Sequence, residues 1–197
     1  MLERLILDVD KAMDAEAYLA ALSLMLTLPD ICAIAKYGNS LGNKKRYTRW
    51  YNEYIGQYEK SPQEKDDISM PYLSGEVIYQ LRCNVLHQGT PNIDPEKIDE
   101  ESCKIDHFTL ITQSKNGFEL YSDFASYDDY MKPVREYKVN IRRLWLVMRA
   151  SVLAYYRDNK DKFNVQAFAF VRALKLYEIY TSDFGVKTSR VNVSQKS

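Results

Sequence analysis

Apolar residues recur at helical spacing through most of the chain. Leu2 to Leu28 reads as helix, restarted at Asp14, an N-cap two residues ahead of Glu16. Leu19, Leu22 and Leu26 widen its apolar arc, which predicts a central helix. Pro29 ends that run, and Asp30 caps a short continuation through Ile31, Ile34 and Tyr37 before a Gly38-Asn39-Ser40 turn. Asn43 to Tyr58 follows as a helix with Tyr47, Trp50, Tyr51, Tyr54 and Tyr58 along one stripe.

Ser61 to Ser69 is polar, contains Pro62 and reads as loop. Ser74 caps a helix running to Gln88, with Val77, Ile78, Leu81 and Val85 on its apolar face and Gly89 at the left-handed C′ position. Thr90 to Asp106, with Pro91 and Pro95, is a long loop with room for a helical turn near Pro95 to Glu101. His107 to Thr112 and Phe118 to Tyr121 are strand-like runs around Asn116-Gly117, which predicts a hairpin inserted over residues 107–122. Pro133 to Asp158 reads as helix with Val134, Tyr137, Ile141, Leu144, Trp145, Met148 and Val152 buried. A last helix, capped by Asn164, continues to Tyr180. The expected architecture is all-α: one bundle of about five or six helices over residues 1–182, a β-hairpin insertion, and a polar tail over 183–197.

A chain of 197 residues should bury roughly 70% of its unfolded surface, so its core needs no disulfide or structural metal. Lys plus Arg balance Asp plus Glu at 27 each, which argues against broad electrostatic attraction to nucleic acid or to acidic membranes. Cys32, Cys83 and Cys103 are odd in number and widely spaced, which suits reduced thiols rather than a zinc site. No metal or other cofactor is expected. Met1 to Asp10 lacks the pattern of a secretory signal. The apolar stretch Tyr18 to Leu28 falls short of the roughly 20 residues needed to cross a bilayer. A cytoplasmic protein with no membrane partner is the expectation. Sixteen tyrosines are the compositional oddity, suited to a core edge or a subunit interface.

Common catalytic motifs are absent. No glycine loop has the spacing of a phosphate cradle, and HExxH, GxSxG and CxxC do not occur. His87 and His107 are the two histidines, and His107 opens a strand, where a structural role fits. What remains is Arg82 followed five positions later by His87 in the last turn of a helix. On an ideal helix the two side chains point about 140° apart. Unwinding at Gly89, or a second helix across a dimer, would let both meet one anion. Such a pair suits RNA cleavage without metal: His87 moves a proton near neutral pH, and Arg82 holds the scissile phosphate. The ribose 2′-OH is then the nucleophile, and a 2′,3′-cyclic phosphate is left. The alternative is structural, with Arg82 bridging a carboxylate and His87 bonding a terminal carbonyl.

Other cations are candidates for RNA or another anion. Lys44, Lys45, Arg46 and Arg49 crowd the first half of their helix, against its macrodipole. Arg135, Lys138, Arg142 and Arg149 fall at spacings that would share a helical face. Each group also suits a solvated charged face.

Leu73-Ser74-Gly75 through Tyr79, Leu81-Arg82-Cys83 and Leu86-His87-Gln88-Gly89 resemble the Arg-x4–6-His helix of the HEPN superfamily. More narrowly they look like a bacterial branch with an LRCxxLHxG signature. Leu26 to Cys32 and Arg46 to Tyr51 share that likeness, which spans Ala15 to Trp145. The resemblance implies a helical bundle that dimerises and brings two Arg–His motifs into one cleft. Many HEPN members are metal-independent ribonucleases, often toxins or phage-defence effectors, and others are non-catalytic binding domains. By this likeness Arg82 and His87 are the catalytic pair, with Tyr79, Cys83, Asn84 and Gln88 in support. The chain departs from the pattern at Cys83, where active members commonly carry Asn, Asp or His. That position lies four before His87, and a thiol orients an imidazole poorly. Asn84 is polar but one residue out of register. Two further functions stay open: a non-catalytic dimer binding RNA, nucleotide or a protein partner, and an interaction protein using its tyrosine-rich helix.

Overall fold

The structure is a computed structural model that describes residues 2–60, 64–65, 68–112 and 121–163. Residues 1–163 form one compact unit. The expected final helix from Asn164 and the tail lie outside the described residues. So do Asn116-Gly117 and Phe118 to Leu120 of the expected hairpin.

The N-terminal helical run breaks where Glu16 takes a left-handed φ of 58°. That gives α1 (Leu2–Asp14) and α2 (Tyr18–Met25), and Asp14 ends a helix rather than capping one. Ala17, which has no capping side chain, precedes α2. Leu19 is 54% exposed, so the buried face of α2 is Ala21, Leu22 and Met25. Pro29 starts rather than stops the next helix, α3 (Leu28–Tyr37), where proline sits in the first turn and loses no hydrogen bond. Asp30 is therefore inside the first turn of α3. Together Tyr18–Tyr37 make 20 residues long and apolar enough to cross a membrane by length and composition. Here Ala21, Leu22, Met25, Leu26, Leu28, Cys32 and Ala33 of that stretch are buried in the protein core.

The tyrosine-rich helix is α4 (Asn43–Tyr51), continued by a π-helical turn, Asn52–Gly56, and by α5 (Gln57–Glu59). A π turn inserts a residue into the helical repeat and rotates everything after it. Tyr47, Trp50 and Tyr51, ahead of it, are buried, whereas Tyr58, beyond it, is 79% exposed. Two short strands, β1 (Glu64–Lys65) and β2 (Ile68–Ser69), pair antiparallel ahead of α6 (Gly75–Gln88). The Ser74 hydroxyl accepts from the Val77 amide and Gly89 closes α6 in the left-handed region, as the sequence predicts. The loop after α6 holds two single 3-10 turns, Pro95–Lys97 and Glu101–Cys103.

The sheet differs from the expected hairpin. Strand β3 (His107–Ile111) pairs in parallel with β5 (Pro133–Asn140), and β4 (Tyr121–Tyr127) pairs antiparallel with the other edge of β5. The central strand occupies what reads in sequence as the first turns of a helix. Arg135, Tyr137 and Val139 alternate inward along it, a period of two. The helix, α7 (Ile141–Asp158), begins only after Asn140, whose side chain accepts from the Arg142 amide as its cap. The fold is thus mainly helical with a three-stranded mixed sheet, α+β rather than all-α.

Helix α4 and the start of α6 touch at Gly75. A Cβ built there would lie 2.5 Å from the Thr48 carbonyl oxygen and 2.9 Å from its Cα. The Gly75 amide donates to Asn52 Oδ1 at 2.6 Å. The two Thr48 atoms belong to the backbone of α4 and cannot step aside. Gly75→Ala is therefore expected to destabilise the protein by about 1–3 kcal/mol, read as a lower urea midpoint with an unchanged slope.

The buried phenols give a second expectation. Burial is the main cause that holds the hydroxyls of Tyr47 and Tyr51 well above the usual tyrosine range, and it lifts that of Tyr155 to about 12. A raised pKa means the folded state resists ionisation that the unfolded chain permits. Stability is therefore full below a pH of about 10 and falls as pH rises beyond it. Urea titrations at pH 8, 10 and 11 should show a falling midpoint, and an unchanged midpoint would contradict this account.

Candidate functional site

Arg82 leaves α6 towards α3 and α4. Its Nη2 donates to Asp30 Oδ2 at 2.9 Å, and the other oxygen of Asp30 lies 3.6 Å from Arg46 Nη2. Arg46 is 5% exposed and also donates to the Leu41 carbonyl and to Asn43 Oδ1, at 3.2 and 2.8 Å. The rings of Tyr47 and Tyr79 meet edge to face at 5.4 Å, and the Arg82 guanidinium stands 5.8 Å from each centroid. Tyr47 is itself fixed by a 3.0 Å bond to the Leu26 carbonyl. Two arginines against one carboxylate leave this cluster one positive charge in excess. Asp30 Oδ1, Arg46 Nε and Arg82 Nε are buried there without a hydrogen-bond partner, a cost that surrounding attractions must offset. The Arg82 side chain keeps 19% of its surface exposed, and its Nη1 makes no hydrogen bond among the described residues.

His87 lies in the last turn of α6, exposed beside Leu86, which is 39% exposed, and exposed Gln88. It makes no hydrogen bond among the described residues. Within one chain, then, Arg82 faces the α3–α4 side and His87 faces solvent, and neither contacts the other. Of the supporting residues, Cys83 is half-buried, one turn after Tyr79, and makes no contact with His87 among the described residues. Burial first, then the neighbouring thiol, raises the Tyr79 phenol above its ordinary range. Asn84 is buried, and its amide donates to the Asn92 carbonyl at 2.7 Å, which pins the loop after α6.

The other candidate cations do not form one basic surface. Lys44 is paired with Asp99 and Glu76, and Arg46 is buried on Asp30. Arg49 lies over the Tyr37 ring at 4.9 Å, while Lys45 is simply exposed. Arg142 donates to the Met13 carbonyl and the Tyr18 hydroxyl, at 3.3 and 3.4 Å. Arg135 and Lys138 belong to β5, whereas Arg142 and Arg149 belong to α7, so the expected shared helical face does not exist. The reason is the strand before Asn140, which changes the period from 3.6 to 2 midway through the set.

The residue that sequence reasoning missed is Asp30. Its place 52 positions before Arg82 leaves no periodic trace, and its only local signal is an acidic group in a first helical turn. Among the described residues no group of three or more His, Cys, Asp or Glu side chains could hold a metal ion. No protein-family model, curated protein or solved structure matches this chain.

The Asp30–Arg82 pair should be coupled energetically. Asp30→Asn leaves a half-buried guanidinium with a weaker acceptor and is expected to lose about 1–3 kcal/mol. A double-mutant cycle with Arg82→Gln should return a coupling of about 1 kcal/mol or more. Additive effects in urea unfolding would show that the pair is not a structural tie.

Proposed function

We propose that the chain is a metal-independent endoribonuclease of the HEPN kind, acting in the cytoplasm as a homodimer whose copies contribute Arg82 and His87 to a shared site. One observation carries this function: Asp30 anchors the Arg82 guanidinium through a single nitrogen, with the fork partly open, while His87 stands exposed at the end of the same helix. In the reaction, His87 takes the proton of a ribose 2′-OH as that oxygen attacks the adjacent phosphorus. The P–O5′ bond breaks, the leaving 5′ oxygen takes a proton from water while the proton on His87 returns to solvent, and a 2′,3′-cyclic phosphate remains. Arg82 balances the charge that grows on the phosphate oxygens. Because the two side chains diverge within one chain, a second copy supplies the group that faces the other side of the phosphate. The excess positive charge around Asp30 favours an incoming phosphate.

A second function is favoured by the Arg82–Asp30 bond itself. If Arg82 serves only as that crosslink and no His87 of a second copy reaches it, the chain is a non-catalytic dimer that binds RNA, a nucleotide or a protein partner through the exposed end of α6.

The two are separated by incubating labelled mixed-sequence RNA with the purified full chain in EDTA. The ribonuclease should leave cyclic-phosphate ends, and His87→Ala, an exposed change that spares the core, should slow cleavage by about 100-fold or more. Arg82→Ala should act in the same direction. Absence of cleavage, or cleavage indifferent to His87→Ala, would rule the ribonuclease out and leave the binding dimer.

A further inference from the structure

A second arginine site lies apart from Arg82, at the edge of the sheet. Arg135 of β5 has a side chain only 5% exposed, yet it forms part of the wall of an open cavity of about 280 Å³. Its Nε lies 3.3 Å from Asp106 Oδ2, and its Nη1 donates to the Glu101 carbonyl at 2.6 Å. Asp106 also accepts from the Arg135 backbone amide at 2.7 Å, so one carboxylate ties both the main chain and the Nε of Arg135. The last nitrogen, Nη2, meets the Glu101 carboxylate at 3.1 Å. That carboxylate differs from the other partners because the Glu101 side chain is 69% exposed. Its second oxygen lies 2.8 Å from Lys104. Lys104 first, and Arg135 after it, hold the Glu101 carboxyl below the usual carboxylate range.

The rest of the cavity is suited to an organic body. Ile68 and Pro133 supply apolar wall, and Ser69, Ser102 and Tyr127 bring hydroxyl groups to it. With Glu101 in place, Arg135 and Lys104 are balanced by Glu101 and Asp106. When Glu101 turns out into water, Arg135 Nη2 and Lys104 lose its carboxylate, while Glu100, which accepts from the Ser102 hydroxyl at 2.6 Å, keeps a negative charge beside the cavity. That turn gives up the Glu101 contacts with Arg135 and Lys104, which a ligand carboxylate must replace, and the buried Arg135 cannot follow it.

We propose that this cavity is a binding site for a small carboxylic acid, with Glu101 acting as a built-in carboxylate that occupies the site until a ligand displaces it. The ligand carboxylate takes the place of Glu101 on Arg135 Nη2 and Lys104. Its carbon body lies against Ile68 and Pro133, and its polar groups meet Ser69 and Ser102. Displacement exchanges one charge-assisted pair for another, so affinity comes from the apolar body and the hydroxyl contacts. Removing Glu101 removes the internal competitor, while the Glu101 backbone carbonyl still holds Arg135.

The test titrates benzoate into the isotope-labelled full chain, followed by amide chemical shifts, for the wild type and Glu101→Ala. Benzamide, which is nearly isosteric and uncharged, is the control. Glu101→Ala should bind benzoate at least ten-fold more tightly than wild type, with the largest shifts at Ser69, Ser102 and Arg135. Benzamide should not bind. Equal benzoate affinity in the two proteins, shifts centred elsewhere, or benzamide binding as well as benzoate would each overturn the proposal.

Discussion

The contact between α4 and the first turn of α6 sets the position of everything in the candidate site. At Gly75 the two backbones approach more closely than any side chain allows, and Asn52 locks the approach with a bond to the Gly75 amide. From that fixed point α6 runs past the aromatic face of α4. Tyr79 meets Tyr47 one turn on, and Arg82 arrives over both rings about one turn later. Asp30, at the start of α3, then receives the guanidinium. The π turn that follows α4 belongs to the same arrangement, because Asn52 is both its first residue and the acceptor for Gly75.

Features written in short-range spacing were legible in the sequence. Ser74, Gly89 and the Val77–Val85 face define α6 by capping and period alone, and they place Arg82 and His87 on it. The helical stripe through Trp50 was legible too, until the π turn put Tyr58 out of phase. What escaped was set by distant partners. Tyr137 fits a helical period with Val134 and Ile141 as well as a strand's with Arg135 and Val139. Only the flanking strands, which come from residues 107–111 and 121–127, decide between them. Those pairings give the segment's backbone a ladder on both sides, and that outweighs a propensity difference of a few tenths of a kcal/mol per residue. Asp30 escaped for a similar reason: its role appears only when α3 and α6 are side by side.

Several arginines of the described residues act as crosslinks between elements. Arg46 is buried on Asp30, Arg135 on Asp106 and Glu101, and Arg143 grips the buried Glu59 with both terminal nitrogens, at 3.0 and 3.2 Å. Arg149 joins Trp145 on Asp10 at the α1–α7 contact. The planar fork makes this possible, since it satisfies several acceptors at once and tolerates desolvation better than an ammonium. Runs of basic residues in the sequence therefore overstate the positive surface. In the clusters at 44–49 and 135–149, Lys44, Arg46, Arg135, Arg142, Arg143 and Arg149 link one element to another.

That economy bears directly on what Arg82 can do. An arginine fully consumed by its own carboxylate would have to break a buried pair to hold a phosphate, and the stranded Asp30 would oppose the ligand. Arg82 is not consumed in that way. Only Nη2 is engaged, Arg46 shares the charge of Asp30, and one-fifth of the side chain reaches solvent. A phosphate can therefore approach the open side of the fork while Asp30 keeps the guanidinium in place, an orienting contact rather than a competing one. The same ion pair thus serves either function proposed for the chain. What separates them is whether His87 of a second copy comes within reach of that phosphate, since within one chain Arg82 turns to Asp30 while His87 stands in solvent.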